Sequence, residues 1–238
     1  MFDKINFFQN LPFSKKIINT NIIKTKRAFN ELRIDIENFE IPLIETFKKD
    51  YNYDFSQSLI KKFSKYKKII IIGMGGSILG SKSIYSFFKE KIKKEVFFFD
   101  NLDEDLIANF NKIKNKKNSC FIIISKSGST LETLANFLII SKKKIDKNKL
   151  IFITENNNNA LFDIANKYKA EIIEHKEFIG GRYSVLSEVG MLPAALMGLD
   201  ITKFKNFEKL MKNKKNNNIS KFLFVIFVKS ELPKRYFF

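Results

Sequence analysis

The chain has 238 residues, of which 45% are hydrophobic and 29% are charged. This length and composition fit a globular protein with one large domain, or one domain with an additional arm. The net charge of +18 raises the question of nucleic-acid binding. Only four of the 43 basic residues are arginines, however, and arginine is preferred for bidentate contacts with bases and phosphates. We therefore expect no nucleic-acid partner.

The single cysteine and the lengths of the apolar runs bear on location. Cys120 has no second cysteine to form a disulfide within the chain, which favours a reducing, intracellular compartment. No apolar run approaches the roughly 20 residues of a membrane-spanning helix, and the N-terminus has no apolar run of signal-peptide length. The sequence predicts a cytoplasmic protein without a membrane partner.

Residues 1–65 lack the turn residues that separate strands. Within them, Phe29, Leu32, Ile36 and Phe39 recur at helical spacing. We therefore predict a helical N-terminal arm over 1–65.

From residue 66 the pattern alternates between apolar runs and helix-like segments. The runs lie at 69–72, 96–99, 120–124, 150–153 and 171–173. Continuous rather than alternating hydrophobicity is typical of parallel strands that are covered on both faces. We predict an α/β domain over 66–201, with a five-stranded parallel sheet sandwiched by helices. In the helix after the third run, the apolar residues predicted to lie on one face are Leu131, Leu134, Ala135 and Leu138.

Two of the apolar runs end in turns of small and hydroxyl residues. Gly75-Gly76-Ser77 follows the first run, and 125–130 (Ser-Lys-Ser-Gly-Ser-Thr) follows the third. Such a turn, opening into a helix, gathers free backbone N–H groups and suits a phosphate. A helix cap needs one hydroxyl rather than four, so we favour an anion site over capping alone. Asp100, after the second run, keeps a nucleotide site open as an alternative.

A third segment, Gly180-Gly181-Arg182-Tyr183-Ser184, places an arginine after two glycines. Glycines let the backbone pass close to a ligand. An arginine at this point is notable in a chain that otherwise uses lysine for most of its positive charge. A surface turn before the next helix is the alternative interpretation.

With these three segments in view, the chain resembles the glucose-6-phosphate isomerases, which have the Rossmann-like sugar-isomerase (SIS) fold. The family's Gly-Gly-Ser turn is matched at 75–77, its Ser-Lys-Thr/Ser turn ending in Glu-Thr at 125–133, and its Gly-Gly-Arg-Tyr/Phe-Ser segment at 180–184. The match covers roughly residues 40–201. Gly128 departs from the pattern, since better-known members carry a bulkier residue there.

The resemblance implies reversible isomerisation of glucose 6-phosphate and fructose 6-phosphate, in glycolysis and gluconeogenesis, without a metal or organic cofactor. It implies that Arg182 is the catalytic arginine that stabilises the enediolate. It also implies that full-length members form homodimers. The sugar phosphate would be bound by Gly76, Ser77, Ser125, Lys126, Ser127, Thr130 and Glu132.

No residue of the sequence matches the family's carboxylate base or its ring-opening histidine. The sole histidine, His175, precedes the arginine motif and is interpreted as an ordinary surface or packing residue. Glu132 and Glu188 do not match the base. We therefore expect this chain to carry the phosphate site and the arginine without the base. A phosphomannose or dual-specificity isomerase, and a non-catalytic sugar-phosphate-binding module, remain alternatives.

The segment 202–238 differs in character from the preceding domain. A Lys/Asn-rich stretch at 212–218 is followed by seven apolar residues at 222–228. We interpret this segment as a divergent tail, a truncated or frame-shifted remnant of a second domain.

Overall fold

In the computed structural model, the described residues are 42–205, apart from 49, 104, 143 and 144, together with scattered positions between 14 and 38. The segment Pro42–Asn206 forms one compact unit. Phe29, Leu32, Ile36 and Phe39 of the predicted arm, and residues 206–238 of the predicted tail, lie outside the described residues. The proposed boundaries of arm, domain and tail stay predictions.

The compact unit is built on five strands. They are β1 (Lys68–Gly73), β2 (Glu95–Phe99), β3 (Ser119–Ile124), β4 (Leu150–Thr154) and β5 (Glu171–Glu174). All neighbouring pairs are parallel, and the strand order is β2-β1-β3-β4-β5. The five predicted apolar runs therefore form the parallel sheet that the sequence indicated.

Within the described part of the compact unit, six α-helices accompany the strands. They are α1 (Gln57–Ser64), α2 (Gly76–Phe88), α3 (Asp105–Lys112), α4 (Leu131–Ser141), α5 (Ala160–Tyr168) and α6 (Glu188–Leu196). A 3₁₀ helix at Gly181–Leu186 precedes α6. No helix in the described part of the chain is long and apolar enough to cross a membrane.

The core lies on both faces of the sheet, which explains the continuous apolar runs. Ile69 and Ile71 of β1 pack on one face with residues of α1, α2 and α6. Ile70 and Ile72 pack on the other face with residues of α3, α4 and α5. All four isoleucines are fully buried, and each such side chain contributes about 1.5–3 kcal/mol relative to exposure. The prediction of an α/β sandwich is confirmed.

The apolar face predicted for α4 coincides only in part with the buried one, since Leu134 packs against the core. Leu131 is 73% exposed and Leu138 is 48% exposed, whereas Phe137 and Ile140 are buried. The helix therefore carries two apolar stripes, and the stripe that contains Phe137 and Ile140 faces the sheet. Phe137 packs edge-on against Phe152 of β4, with ring centroids 5.2 Å apart.

Candidate functional site

The pairing of β1 with β3 brings the two predicted turns together. Gly73, the last residue of β1, is in register with Ile124, the last residue of β3. The turn leading into α2 and the turn leading into α4 therefore leave the same edge of the sheet side by side. In parallel sheets this edge, at the carboxyl ends of the strands, is where ligands bind.

The start of α2 requires its glycines. Gly75 has a φ of +52°, in the left-handed region that favours glycine. A Cβ on Gly76 would lie 2.2 Å from the carbonyl oxygen of Gly181, so only glycine allows this approach. The first turn and the arginine segment are thus in direct backbone contact, and no side chain caps the first N–H groups of α2.

The turn before α4 is held by its own hydroxyls. Ser125 is buried and its Oγ donates to Oγ1 of Thr130 at 2.9 Å. The backbone N–H and the hydroxyl of Ser129 donate to Oγ of Ser127, at 3.3 and 3.0 Å. Thr130 directly precedes α4 but makes no capping hydrogen bond with its side chain. The first amides of α4 are therefore left open to an anion, at the positive end of the helix dipole.

The structure explains why residue 128 is a glycine in this chain. Its φ is +64°, and a Cβ would lie 1.6 Å from Oδ1 of Asn159. Asn159 caps α5 by accepting from the backbone N–H of Phe162 at 2.9 Å. The turn at 125–130 therefore packs directly against the start of α5, and a larger residue at 128 does not fit.

The arginine segment forms the 3₁₀ helix Gly181–Leu186. Buried Ser184 fixes it: its Oγ donates to the Gly181 carbonyl at 2.7 Å and lies 3.4 Å from the Gly76 carbonyl. Arg182 itself is exposed, and among the described residues its guanidinium has no hydrogen-bond or ion-pair partner. The structure thus provides a free cation on a turn that contacts the start of α2.

Two of the predicted binding residues have less direct positions. Lys126 turns toward the end of β5: its Nζ donates to the Glu177 carbonyl at 2.6 Å and lies 3.5 Å from a carboxylate oxygen of Glu155. Its charge is thus already engaged by protein groups. Glu132 lies half-buried in the first turn of α4. The binding roles of all the predicted site residues stay predictions.

His175 and Glu188 are both buried. Nδ1 of His175 lies 3.2 Å from the Lys176 carbonyl, while Nε2 has no partner among the described atoms. Burial lowers the pKa of His175, which favours the neutral ring. Burial also raises the pKa of the Glu188 carboxyl. The interpretation of His175 as a packing residue agrees with its burial.

Sequence reasoning missed three residues that shape the site. They are Ser129, Asn159 and Ser184. Ser129 belongs to the hydroxyl-rich turn, and Asn159 ends a run of asparagines before a helix, which is a capping signal. Ser184 was visible only as part of the arginine motif, because its contact with Gly76 spans 108 positions of sequence.

The arrangement suits binding of an anionic small molecule. Open helix amides and exposed hydroxyls can donate to a phosphate, and the Arg182 guanidinium can stabilise a second negative charge nearby. Among the described residues, no group of three or more His, Cys, Asp or Glu side chains is placed to hold a metal ion.

Comparison with known proteins gives the family. The model of the phosphoglucose isomerase family matches residues 55–224. The glucose-6-phosphate isomerase of Methanocaldococcus jannaschii is 36% identical over 174 residues, which are 69% of this chain and 42% of that protein. The enzyme of the same name from Acholeplasma laidlawii is 30% identical over 212 residues, which are 80% of this chain and 49% of that protein. This chain therefore spans less than half the length of either relative.

Solved structures show the same fold. A glucose-6-phosphate isomerase from Chlamydia trachomatis superposes with a TM-score of 0.65 at 18% identity, covering 91% of this chain and 51% of that one. A hypothetical protein from Thermus thermophilus gives a TM-score of 0.64 at 21% identity, covering 90% and 54% of the two chains. The family match extends over most of the compact unit and includes all three turns. The chain belongs to the phosphoglucose isomerase family.

Proposed function

We propose that the protein takes part in the reversible isomerisation of glucose 6-phosphate and fructose 6-phosphate, and that this chain holds the substrate phosphate and the arginine. The observation that carries the proposal is the contact of Gly76 with Gly181, which brings Arg182 to the edge of the sheet where both turns end. Membership of the family supports this reaction, and the open start of α4 supports phosphate binding at that helix.

The proposed binding mode follows the direction of the free donors. The phosphate lies at the first amides of α4, with the hydroxyls of Ser127 and Thr130 donating to its oxygens. The sugar then extends along Gly76 and Ser77 toward the 3₁₀ helix Gly181–Leu186 that carries Arg182, which we call the arginine turn. Ser125, being buried, acts by holding Thr130 in place.

In the reaction, a base removes the proton from C2 of the open-chain aldose, and the resulting enediolate carries negative charge on oxygen. The same proton returns to C1 to give the ketose, so the reaction needs no oxidant or reductant. Arg182 is proposed to stabilise the enediolate oxygen. A cation fixed before the reaction stabilises this charge more than it stabilises the substrate, and losing such a group typically costs about 10²–10³ in rate.

The described carboxylates do not provide an evident base. Glu188 is fully buried and already accepts hydrogen bonds from Tyr51 and from the backbone of Asp54. Glu174 is paired with Lys176 at 2.6 Å. Glu132 is the described glutamate closest in sequence to the turn at 125–130, where the phosphate is proposed to bind. We therefore expect these 238 residues alone to bind the sugar phosphate while isomerising it no faster than background.

Calorimetric titration and a coupled isomerase assay test this proposal together. We expect the unaltered chain to bind fructose 6-phosphate and not fructose. Arg182→Ala should weaken that binding, whereas Arg27→Ala, which removes another exposed arginine, should leave it unchanged. Failure to distinguish fructose 6-phosphate from fructose would contradict the sugar-phosphate site. Ordinary enzyme rates from this chain alone would contradict the expectation about the base.

Two alternatives to the proposed function remain. The first is an isomerase that acts on a mannose phosphate, and the second is a protein that binds a sugar phosphate without converting it. Comparing the rates with glucose 6-phosphate and mannose 6-phosphate in the complete protein separates the first. Binding without turnover in the complete protein would support the second. The homodimer, which the family resemblance implies, and the cytoplasmic location, which the cysteine count and the apolar runs indicate, stay predictions.

A further inference from the structure

A partly buried polar cluster lies on the other side of the arginine turn, and the proposed function does not use it. We call it the Glu188 cluster; its members are Tyr51, Tyr53, Asp54, Glu188 and Lys205. Three separate parts of the chain contribute to it: the segment before α1, the first residue of α6, and a 3₁₀ helix at Ile201–Lys205.

Glu188 is the centre of the cluster. Its side chain is fully buried, and its carboxylate accepts from the Tyr51 hydroxyl at 3.1 Å and from the backbone N–H of Asp54 at 3.1 Å. The Tyr53 hydroxyl donates to the carbonyl of Leu186 at 3.3 Å. Leu186 is the last residue of the 3₁₀ helix that carries Arg182. The segment before α1 therefore holds both the end of that helix and the start of α6.

Lys205 closes the cluster with a positive charge. Its Nζ lies 4.4 Å from the ring centroid of Tyr51 and 4.3 Å from that of Tyr53. This is within the range of cation–π contacts. The Nζ atom is buried and has no hydrogen-bond partner among the described atoms. The two rings meet edge to face, 5.0 Å apart, so Lys205 helps to fix the segment that carries both tyrosines.

The arginine turn is therefore supported from two sides. On one side Gly76 approaches the Gly181 carbonyl and Ser184 bonds to it. On the other side the Glu188 cluster fixes the turn at Leu186. We propose that Glu188 and Tyr53 are positioning residues for Arg182, acting through the backbone of this turn on the charge that develops in the substrate. This inference rests on the proposed role of Arg182.

Positioning matters because Arg182 is exposed and makes no contact within the described part of the chain that fixes its guanidinium. Its location depends on the backbone alone. A misplacement of about 1 Å can cost as much as 100-fold in a reaction that depends on geometry. The phosphate site is built from β3 and α4, on different elements, so disturbing the Glu188 cluster should affect one end of the ligand only.

Two probes separate these ends. Inorganic phosphate reports on the start of α4. 6-Phosphogluconate adds a C1 carboxylate, which carries negative charge at the end of the sugar where the enediolate forms. The measured quantity is the ratio of the two dissociation constants, determined by calorimetry on the full chain. The variants are Tyr53→Phe, Glu188→Ala and Glu188→Gln, and the matched control is Tyr66→Phe, which removes a tyrosine hydroxyl next to β1.

We expect Tyr53→Phe to weaken 6-phosphogluconate binding about 3- to 10-fold, the effect of losing one hydrogen bond. Glu188→Ala removes the acceptor of two hydrogen bonds and should weaken this binding at least as much. Phosphate binding should not change. Glu188→Gln keeps an acceptor oxygen and should restore most of the loss, and Tyr66→Phe should have no effect on the ratio. In an Arg182→Ala background, Tyr53→Phe should cause no further loss.

The outcomes are distinguishable. If Tyr53→Phe lowers the unfolding midpoint but leaves the ratio unchanged, the cluster is only structural and the inference is wrong. If the unaltered chain binds phosphate but gains nothing from the C1 carboxylate, the role of Arg182 fails and the inference fails with it. If the chain does not bind phosphate at all, the proposed function itself is contradicted. Tyr53→Phe removes a single oxygen and so keeps the test valid if Glu188→Ala does not fold.

Discussion

The starts of five of the six described α-helices fall into two groups. Those of α1, α5 and α6 are each capped by a side chain, from Ser56, Asn159 and Ser187 respectively. Those of α2 and α4 have no side-chain cap. A cap contributes about 1 kcal/mol to stability, so leaving two helix starts open has a cost. The two starts without a side-chain cap follow β1 and β3, at the edge of the sheet where the sugar phosphate is proposed to bind.

We interpret the difference as a choice of ligand binding over local stability, in line with the proposed function. Thr130 is a residue type that caps helices well, yet its hydroxyl is engaged by Ser125 instead. Gly75 and Gly76 have no side chains with which to cap α2. At α2 the backbone N–H groups of Ser77 and Ile78 donate to the carbonyls of Met74 and Gly75 instead of to a cap. The open amides are therefore those at the start of α4, and an anion is the expected partner for them.

The largest expected effect comes from adding a side chain where Gly76 contacts the Gly181 carbonyl. Gly76→Ala would place a Cβ 2.2 Å from the Gly181 carbonyl oxygen, and overpacking of this kind costs about 3 kcal/mol. We expect a marked loss of stability and of 6-phosphogluconate binding. The matched control is Gly181→Ala, whose Cβ would meet no described protein atom within 4 Å. Chemical denaturation of both variants checks this; equal stability of the two would contradict the proposed packing.

The second prediction concerns the open start of α4. Replacing Ser125 and Thr130 together by alanine removes the proposed Thr130 donor and the hydroxyl that holds it. Sugar-phosphate binding should weaken about 10-fold or more, because a hydrogen bond to a charged group contributes about 1.5–3 kcal/mol. Calorimetric titration with fructose 6-phosphate measures the change. An unaltered affinity would remove this turn from the site.

The strands and the turns were predictable from sequence because each depends on neighbouring residues. Continuous apolar runs such as 69–72 specify buried parallel strands, and small residues after them specify the turns. The inward face of α4 was not predictable, since two apolar stripes compete and only packing against Phe152 selects one. The support of Arg182 was also hidden. Tyr53 and Leu186 are separated by 133 positions, and only the fold brings them together.

The third prediction concerns the pH dependence of stability that the Glu188 cluster causes through Lys205, which the helix starts do not share. Burial lowers the pKa of Lys205 from 10.5 to about 8, although Glu188 and Asp50 oppose this shift. Between these pH values the unfolded chain holds a proton that the folded chain has released. Stability should therefore rise with pH through this window, by no more than about 1.4 kcal/mol per pH unit.

In Lys205→Met this rise should be absent, and the variant should be at least as stable as the unaltered chain at neutral pH. Denaturation curves at several pH values between about 7 and 10.5 provide the comparison. A rise of the same slope in both proteins would assign the pH dependence to other groups.

The smallest effect is expected at a capped helix. The Ser56 hydroxyl accepts from the backbone N–H of Leu59 at 3.2 Å, and Ser56→Ala should cost about 1 kcal/mol of stability without changing phosphate affinity. Ser127→Ala, which removes an exposed hydroxyl proposed to donate to the phosphate, should show the reverse, with weaker phosphate binding and little loss of stability. If both variants lose stability and keep their affinity, the distinction between capped and open starts has no functional meaning.

The central claim is that phosphate binds at an open helix start. Backbone amide chemical shifts, followed by NMR during titration of the unaltered chain with inorganic phosphate, test it most directly. The account predicts saturable shifts at Leu131 and Glu132, the first residues of α4. The amides of Leu59 and Phe162 are already bonded to their caps and should not move. Equal shifts at the capped and open starts, or no shift at Leu131 and Glu132, would contradict it.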